Sequence, residues 1–225
     1  MKYKAAIFDM DGTLIDSLED LADSVNDTMI HYNFPTHTLK EYRYFVGNGA
    51  RKLIERSVPK DKSNDTDFIS EVLNYYNSCY EKRLTNKTKP YDGIMELLQK
   101  LKSQNIPLGI CTNKQQFAAE EIATKLFPPN TFMSVIGDQK GLPRKPNPAK
   151  VLKIAEEFNV EPGYVAYFGD TSVDMETAHN AGFLSIGVTW GFRPASELIE
   201  SGAQILINHP DELWQKIEFE SDRQN

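Results

Sequence analysis

Disulfides, membrane spans and a basic surface are all missing from this chain. Two cysteines in 225 residues cannot build a disulfide framework. Cys79, on an apolar helical face, and Cys111, at the end of an apolar run, read as reduced thiols. No apolar run approaches the roughly 20 residues that a membrane helix needs. The basic start Met1-Lys2-Tyr3-Lys4 leads into an apolar stretch too short for a signal peptide, which ends in Asp9. A cytoplasmic protein is therefore expected. Lys and Arg number 25 against 32 Asp and Glu, a net charge of −7, and they are dispersed, so neither nucleic acid nor a membrane is an expected partner. His31, His37, His179 and His209 lack metal-ligand spacing and default to surface or capping roles. Repeats and low-complexity tracts are absent, and only Ser221–Asn225 reads as a disordered tail.

What the chain does contain is a polar stretch, Asp9-Met10-Asp11-Gly12-Thr13, directly behind the apolar run Ala5–Phe8. Such a run fits a strand buried on two faces, so both carboxylates fall at its carboxyl end, where an open α/β sheet keeps its chemistry. One could serve as nucleophile and the other as proton donor and acceptor. The arrangement recurs downstream. The run 106–111 delivers Thr112-Asn113, and the run 164–168 delivers Gly169-Asp170, to the same edge. Between them lies Arg144-Lys145-Pro146-Asn147-Pro148, where Asn147 can cap a helix whose first position is Pro148, leaving Lys145 just ahead of a helix N-terminus.

The organisation follows from a change of period. From Ser17 to about Leu84 strand signals stop. Leu18, Leu21, Val25, Met29 and Tyr32 share one helix face, with Glu19, Asp20, Asp23 and Asp27 opposite and Ser17 as N-cap. Thr38-Leu39-Lys40-Glu41 fits a capping box for a second helix, which breaks near Gly47-Asn48-Gly49 and resumes through 50–57. A longer helix carries Phe68, Ile69, Val72, Leu73, Tyr76 and Tyr80. Gly47-x-Gly49 lacks the third glycine of a dinucleotide fingerprint and does not follow a buried strand; it is a helix break or a substrate contact. Two thin segments, 14–16 and 85–91, join this helical insertion to the rest, so it lies above the catalytic edge and is free to hinge. Beyond it strands (106–111, 132–136, 164–168, 183–188, 204–207) alternate with helices (about 115–126, 148–158, 173–181, 194–201 and 210–217), which predicts parallel pairing through right-handed crossovers. The expected fold is α/β: a Rossmann-like three-layer α/β/α core with a parallel sheet, formed by 1–16 and 88–225, plus an all-helical domain at 17–87 inserted after the first strand.

Taken in order, Asp9-x-Asp11-Gly12-Thr13, Thr112-Asn113, Lys145 and Gly169-Asp170-x-x-x-Asp174 resemble the four signature motifs of haloacid dehalogenase superfamily phosphatases, over essentially the whole chain. Gly47-Asn48-Gly49-Ala50 with Leu53 and Glu55-Arg56, and Gly187-Val188-Thr189-Trp190-Gly191, are most similar to phosphoglycolate phosphatases. The resemblance implies a mobile helical cap and an aspartyl-phosphate mechanism. Asp9 attacks phosphorus, and Asp11 protonates the leaving oxygen and later takes a proton from water. Mg2+ is held by Asp9, the Asp11 backbone carbonyl, Asp170 and, directly or through water, Asp174. Thr112, nearby backbone N–H groups and Lys145 hold the phosphate, with Asn113 contributing by side chain or backbone.

Charge arithmetic asks for the same cation. A phosphate monoester carries about −2, and three aspartates around it repel it by roughly 4 kcal/mol per pair at 4 Å and a dielectric of 20. Oxygen-only ligands favour magnesium. The expected partner is a small phosphorylated metabolite, phosphoglycolate first, for a monomer or homodimer. Gly49, at a helix start, and Arg51 are candidates for its carboxylate, with Arg51 alternatively a solvated helix residue. A broad sugar-phosphate or nucleotide phosphatase, or a pyrophosphatase, would share the core residues. A phosphosugar mutase of the superfamily carries a cap histidine ten residues beyond the acid/base aspartate, where this chain has Leu21. A non-catalytic phospholigand binder is expected to have lost a motif, and none is lost.

Overall fold

The structure, a computed structural model, describes residues 2–221, so residues 222–225 of the expected tail lie outside the described residues. Its centre is a six-stranded parallel sheet of β2 (Ala5–Phe8), β5 (Leu108–Gln115), β6 (Ser134–Asp138), β7 (Val165–Gly169), β8 (Leu184–Val188) and β9 (Ile205–Ile207), in the order β6-β5-β2-β7-β8-β9. The sheet's first strand in sequence, β2, thus lies between β5 and β7, where the winding direction reverses and a doubly wound sheet opens a crevice at its carboxyl edge. Two short ribbons were not anticipated: β1 (Lys2–Tyr3) pairs with β10 (Glu218–Phe219), and β3 (Ile15–Asp16) pairs antiparallel with β4 (Lys89–Pro90).

The alternation within β2 explains the layers. Ala6 and Phe8 pack on one face with α5 (Ile94–Ser103) and α6 (Gln116–Leu126), while Ala5 and Ile7 pack on the other with α7 (Ala149–Phe158) and α8 (Ser172–Ala181). A strand buried on both faces carries no polar side chain until it emerges at Asp9. Phe8 and Phe168 stack at 4.5 Å and lock β2 to β7. The short α9 (Ala195–Glu200) and α10 (Leu213–Lys216) complete the core, the latter preceded by a 3-10 turn at Pro210–Glu212 that was expected to be α-helix.

Between β3 and β4 stand α1 (Leu18–His31), α2 (Leu39–Phe45), α3 (Ala50–Ser57) and α4 (Thr66–Tyr80). The Thr38–Glu41 capping box is present, and Gly47 and Gly49 take φ of 107° and 85° where the helix breaks. The other two caps differ from expectation. Ser17 makes no capping bond, because its hydroxyl donates to Asp11 at 2.5 Å. Asn147 does accept from the Ala149 N–H, at 3.0 Å, but the helix begins at Ala149, one residue after Pro148. Asp20, assigned from periodicity to the polar face of α1, is only 1% exposed. Its carboxylate accepts from Lys87 N, Thr88 N and the Thr88 hydroxyl at 2.9, 2.8 and 2.7 Å, so it ties α1 to the returning chain.

Candidate active site

Asp9, Asp170 and Asp174 come from the ends of β2 and β7 and the first turn of α8, and one carboxylate oxygen of each lies within 4.8 Å of the other two. Met10 points into the core, and its carbonyl accepts from the N–H groups of Thr13, Leu14 and Ile15, which turns the chain sharply. Gly12 permits that turn with φ of 83°, and a Cβ there would run into the Asp170 carboxylate. Asp170 is fully buried and accepts from Phe192 N at 2.8 Å and the Thr13 hydroxyl at 3.2 Å. Asp174 divides its oxygens. One takes the N–H and hydroxyl of Thr171 at the helix start, and the other faces Lys145. It is a helix-terminal acid and a site residue at once.

Lys145 bridges this cluster, its ammonium 2.9 Å from Asp9, 2.7 Å from Asp174 and 3.0 Å from the Tyr167 hydroxyl. Three carboxylates against one ammonium leave two negative charges in a buried place. Without further compensation the cluster holds protons. Burial pushes the Asp9 carboxyl up to about 6 against the pull of Lys145, and burial with neighbouring Asp174 and Asp9 raises Asp170 well above the carboxylate range. Asp9 Oδ1 is buried and, apart from the ionic contact with Lys145, accepts no hydrogen bond. An oxygen with no partner but Lys145, among carboxylates carrying two uncompensated negative charges, suits a divalent cation.

Asp11 stands outside the cluster. Its carboxylate faces a cavity between core and cap and is held by Lys114 Nζ at 2.7 and 3.0 Å and by the Ser17 hydroxyl. Asp9, Thr112, Asn113 and Gly49 line the same cavity, whose cap side is built from residues such as Leu21, Leu53, Tyr76 and Tyr80.

Sequence comparison agrees with this geometry. The sequence model of the haloacid dehalogenase-like hydrolases matches residues 6–188. The chain belongs to this family. Among relatives, a phosphoglycolate phosphatase of Haemophilus influenzae is 31% identical over 89% of this chain and 92% of its own. One of Colwellia psychrerythraea is 32% identical over 92% and 93%. A crystal structure of a Lactobacillus delbrueckii subsp. bulgaricus protein matches with a TM-score of 0.90 at 28% identity, covering 97% of this chain and 99% of that one. A haloacid dehalogenase-like hydrolase of Streptococcus pneumoniae matches at 0.84 and 25%, covering 95% and 97%.

In this hydrolase the sequence-derived site residues converge with one exception. Arg51 does not reach the cavity: its guanidinium is held by Glu55 at 3.1 Å, the Ser70 hydroxyl at 3.2 Å and the Thr66 carbonyl at 3.4 Å, which turns it toward the start of α4. Asn113 is present, but its side chain is engaged elsewhere. Its Oδ1 accepts from Lys145 N at 2.9 Å, and its Nδ2 donates to the carbonyls of Lys145 and Gly47 at 3.2 and 3.4 Å. The amide therefore holds the lysine's backbone in place and touches the cap.

Four positions at or beside this site are not marked by the sequence reading. Lys114 sits two residues beyond Thr112 on the same strand, a spacing that points both to one side and could have revealed it. Lys150 is fully buried in α7, its ammonium donating to the Thr112 carbonyl at 2.7 Å; nothing in a helical period marks such a lysine. Tyr80 was read only as part of an apolar face. Arg193 donates to the Val46 carbonyl at 2.9 Å and clasps cap to core.

Proposed function

We propose that this hydrolase is a magnesium-dependent phosphomonoester phosphatase acting through an aspartyl-phosphate on Asp9, with phosphoglycolate as substrate. The observation that carries the reading is the divergence of two carboxylates only two residues apart. Asp9 lies in the buried cluster beside Lys145, and Asp11 faces the cavity where a leaving group would sit. That is the division of labour a displacement at phosphorus needs. Asp9 attacks, its Oδ–P bond forming as the ester P–O bond breaks. Asp11 delivers a proton to the departing oxygen, then takes one from the water that cleaves the acyl phosphate. Lys145 and the Thr112 hydroxyl hold phosphoryl oxygens and offset their charge, with Asn113 and Lys150 fixing the backbone beneath them. Asp9, Asp170 and Asp174, with the Asp11 carbonyl that the family resemblance adds, would hold magnesium, which would supply the missing positive charge.

Residues 17–87 act as a lid in this account. The β3–β4 ribbon forms the hinge, and the Arg193–Val46 and Asn113–Gly47 bonds, with Gln115 donating to Asn77 at 3.2 Å, describe the closed position. Every residue assigned a role lies in one chain, so a monomer or homodimer suffices. The free thiols Cys79 and Cys111 suit the cytoplasm, and no helix among the described residues is long and apolar enough to cross a membrane.

A mutase reading has less support, since Leu21 in the cavity wall offers no proton carrier. The phosphoglycolate assignment rests on the relatives' names. It is tested by ranking phosphoglycolate, pyrophosphate, a hexose phosphate and a nucleotide by kcat/KM. Phosphoglycolate is expected first. A tenfold advantage for another substrate, about 1.4 kcal/mol of transition-state preference, would refute the substrate and leave the phosphatase standing.

A further inference from the structure

Lys114 has a position that the phosphoryl chemistry leaves unexplained. Its side chain is 4% exposed, yet it belongs to the wall of the cavity and not to the carboxylate cluster. Among the described residues lining that cavity it is the one cation; the others are Asp9, Asp11 and neutral or apolar side chains. Its ammonium has three donors, and Asp11 takes two of them. The ammonium also stands 4.9 Å from the centre of the Tyr80 ring, so a cap residue positions a core lysine through a cation–π contact. Arg51, the cap cation that could have met an anionic substrate tail, is turned away.

We propose that Lys114 is the specificity-determining residue for the leaving group: it selects phosphomonoesters whose leaving group carries an anion next to the ester oxygen, and Tyr80 positions it. The inference deepens the phosphatase reading and rests on it. A carboxylate one carbon from the ester oxygen would lie beside Asp11, which is itself a carboxylate once it has delivered its proton, and two carboxylates there repel unless a cation stands between them. Lys114 can donate to both. The aromatic face beneath it excludes water and strengthens the attraction without competing for a donor. A neutral leaving group such as ethanol leaves the third donor unused and gains nothing from it. Pyrophosphate, whose leaving phosphate is also anionic, meets the same chemistry.

The test compares phosphoglycolate with ethyl phosphate, which has a methyl group where phosphoglycolate has its carboxylate, and includes pyrophosphate to separate the two anion sources. The wild type is expected to favour phosphoglycolate by on the order of thirtyfold in kcat/KM, the usual worth of a charge-assisted hydrogen bond. Lys114→Met should erase that preference chiefly by raising KM for phosphoglycolate, and Lys114→Arg, which keeps the charge, should retain part of it. Tyr80→Phe, which keeps the ring, should leave the preference intact, whereas Tyr80→Leu should reduce it. A wild type indifferent to the carboxylate overturns the proposal without any variant and leaves the phosphatase reading untouched. Equal losses on both esters in Lys114→Met also overturn it, reducing Lys114 to a support for Asp11. Pyrophosphate favoured over phosphoglycolate in the wild type and lost in Lys114→Met upholds the anion rule while refuting the substrate assignment. A wild type that hydrolyses none of the three overturns the proposal, and the phosphatase reading falls with it only if a hexose phosphate and a nucleotide are also left intact.

Discussion

Lys145 Nζ lies 2.7 Å from Asp174 Oδ1, with both side chains at most 2% exposed. Two opposite charges so deeply buried stabilise each other only as a pair, and deleting one leaves the other uncompensated. Lys145→Met should therefore lower stability by about 3–5 kcal/mol in urea unfolding at pH 8, in addition to abolishing turnover. A loss under about 1 kcal/mol would show that the pair is solvated in solution.

Metal binding should be linked to protons. The Asp9 carboxyl is raised to about 6 and Asp170 is raised as well, so the folded metal-free protein binds more protons than the unfolded chain between the ordinary carboxylate range and about pH 6. These groups make stability fall as pH rises through that window, and the Asp9 share of the cost is complete above it. Magnesium relieves the cost where the carboxylates are ionised. The gain in Tm on adding Mg2+ should be larger at pH 7.5 than at pH 5, and chelation at pH 7.5 should remove both the gain and activity. Equal gains at the two pH values would count against a carboxylate metal site.

Asp20→Ala should loosen the cap. Three donors on the return segment, Lys87 N, Thr88 N and the Thr88 hydroxyl, lose their acceptor, at a cost of about 3 kcal/mol. Limited proteolysis should then cut near residues 85–91 faster than in the wild type. Unchanged proteolysis would mean that the β3–β4 ribbon alone fixes the tether.

Arg193→Ala should weaken closure, because Arg193 binds the Val46 carbonyl and stacks on Tyr44 at 5.4 Å. Small-angle scattering should show a more open average form, and KM should rise more than kcat falls. A scattering profile identical to the wild type would argue that the clasp is incidental.

The core was legible because its signals are local. A strand buried on both faces, as β2 is, must be apolar throughout, so the first carboxylates after it mark the catalytic edge. The helical insertion was legible from its period. What escaped was set by tertiary contacts. Asp20 has the composition of a solvated helix face, but one of its oxygens accepts from backbone donors more than sixty residues away. Ser17 looks like an N-cap and is instead a partner of Asp11. Arg51 follows a helix-start glycine, as an anion binder could, but Glu55 and Ser70 win its guanidinium. Lys150 sits in a helix whose period alone suggests nothing, Lys114 offered only its two-residue spacing from Thr112, and it is the three-dimensional convergence of β5, α7 and the Asp11 turn that brings them to the site.

The central claim is that Asp9 becomes phosphorylated during turnover, and rapid quenching tests it most directly. The enzyme is mixed with a radiolabelled phosphomonoester that it turns over, quenched in acid and digested, and the labelled peptide is sequenced. The label should reside on Asp9, be released by hydroxylamine as an acyl phosphate is, and be absent from Asp9→Asn, which should retain the wild-type circular dichroism spectrum. Label on a serine or histidine, or label persisting in Asp9→Asn, would contradict the account.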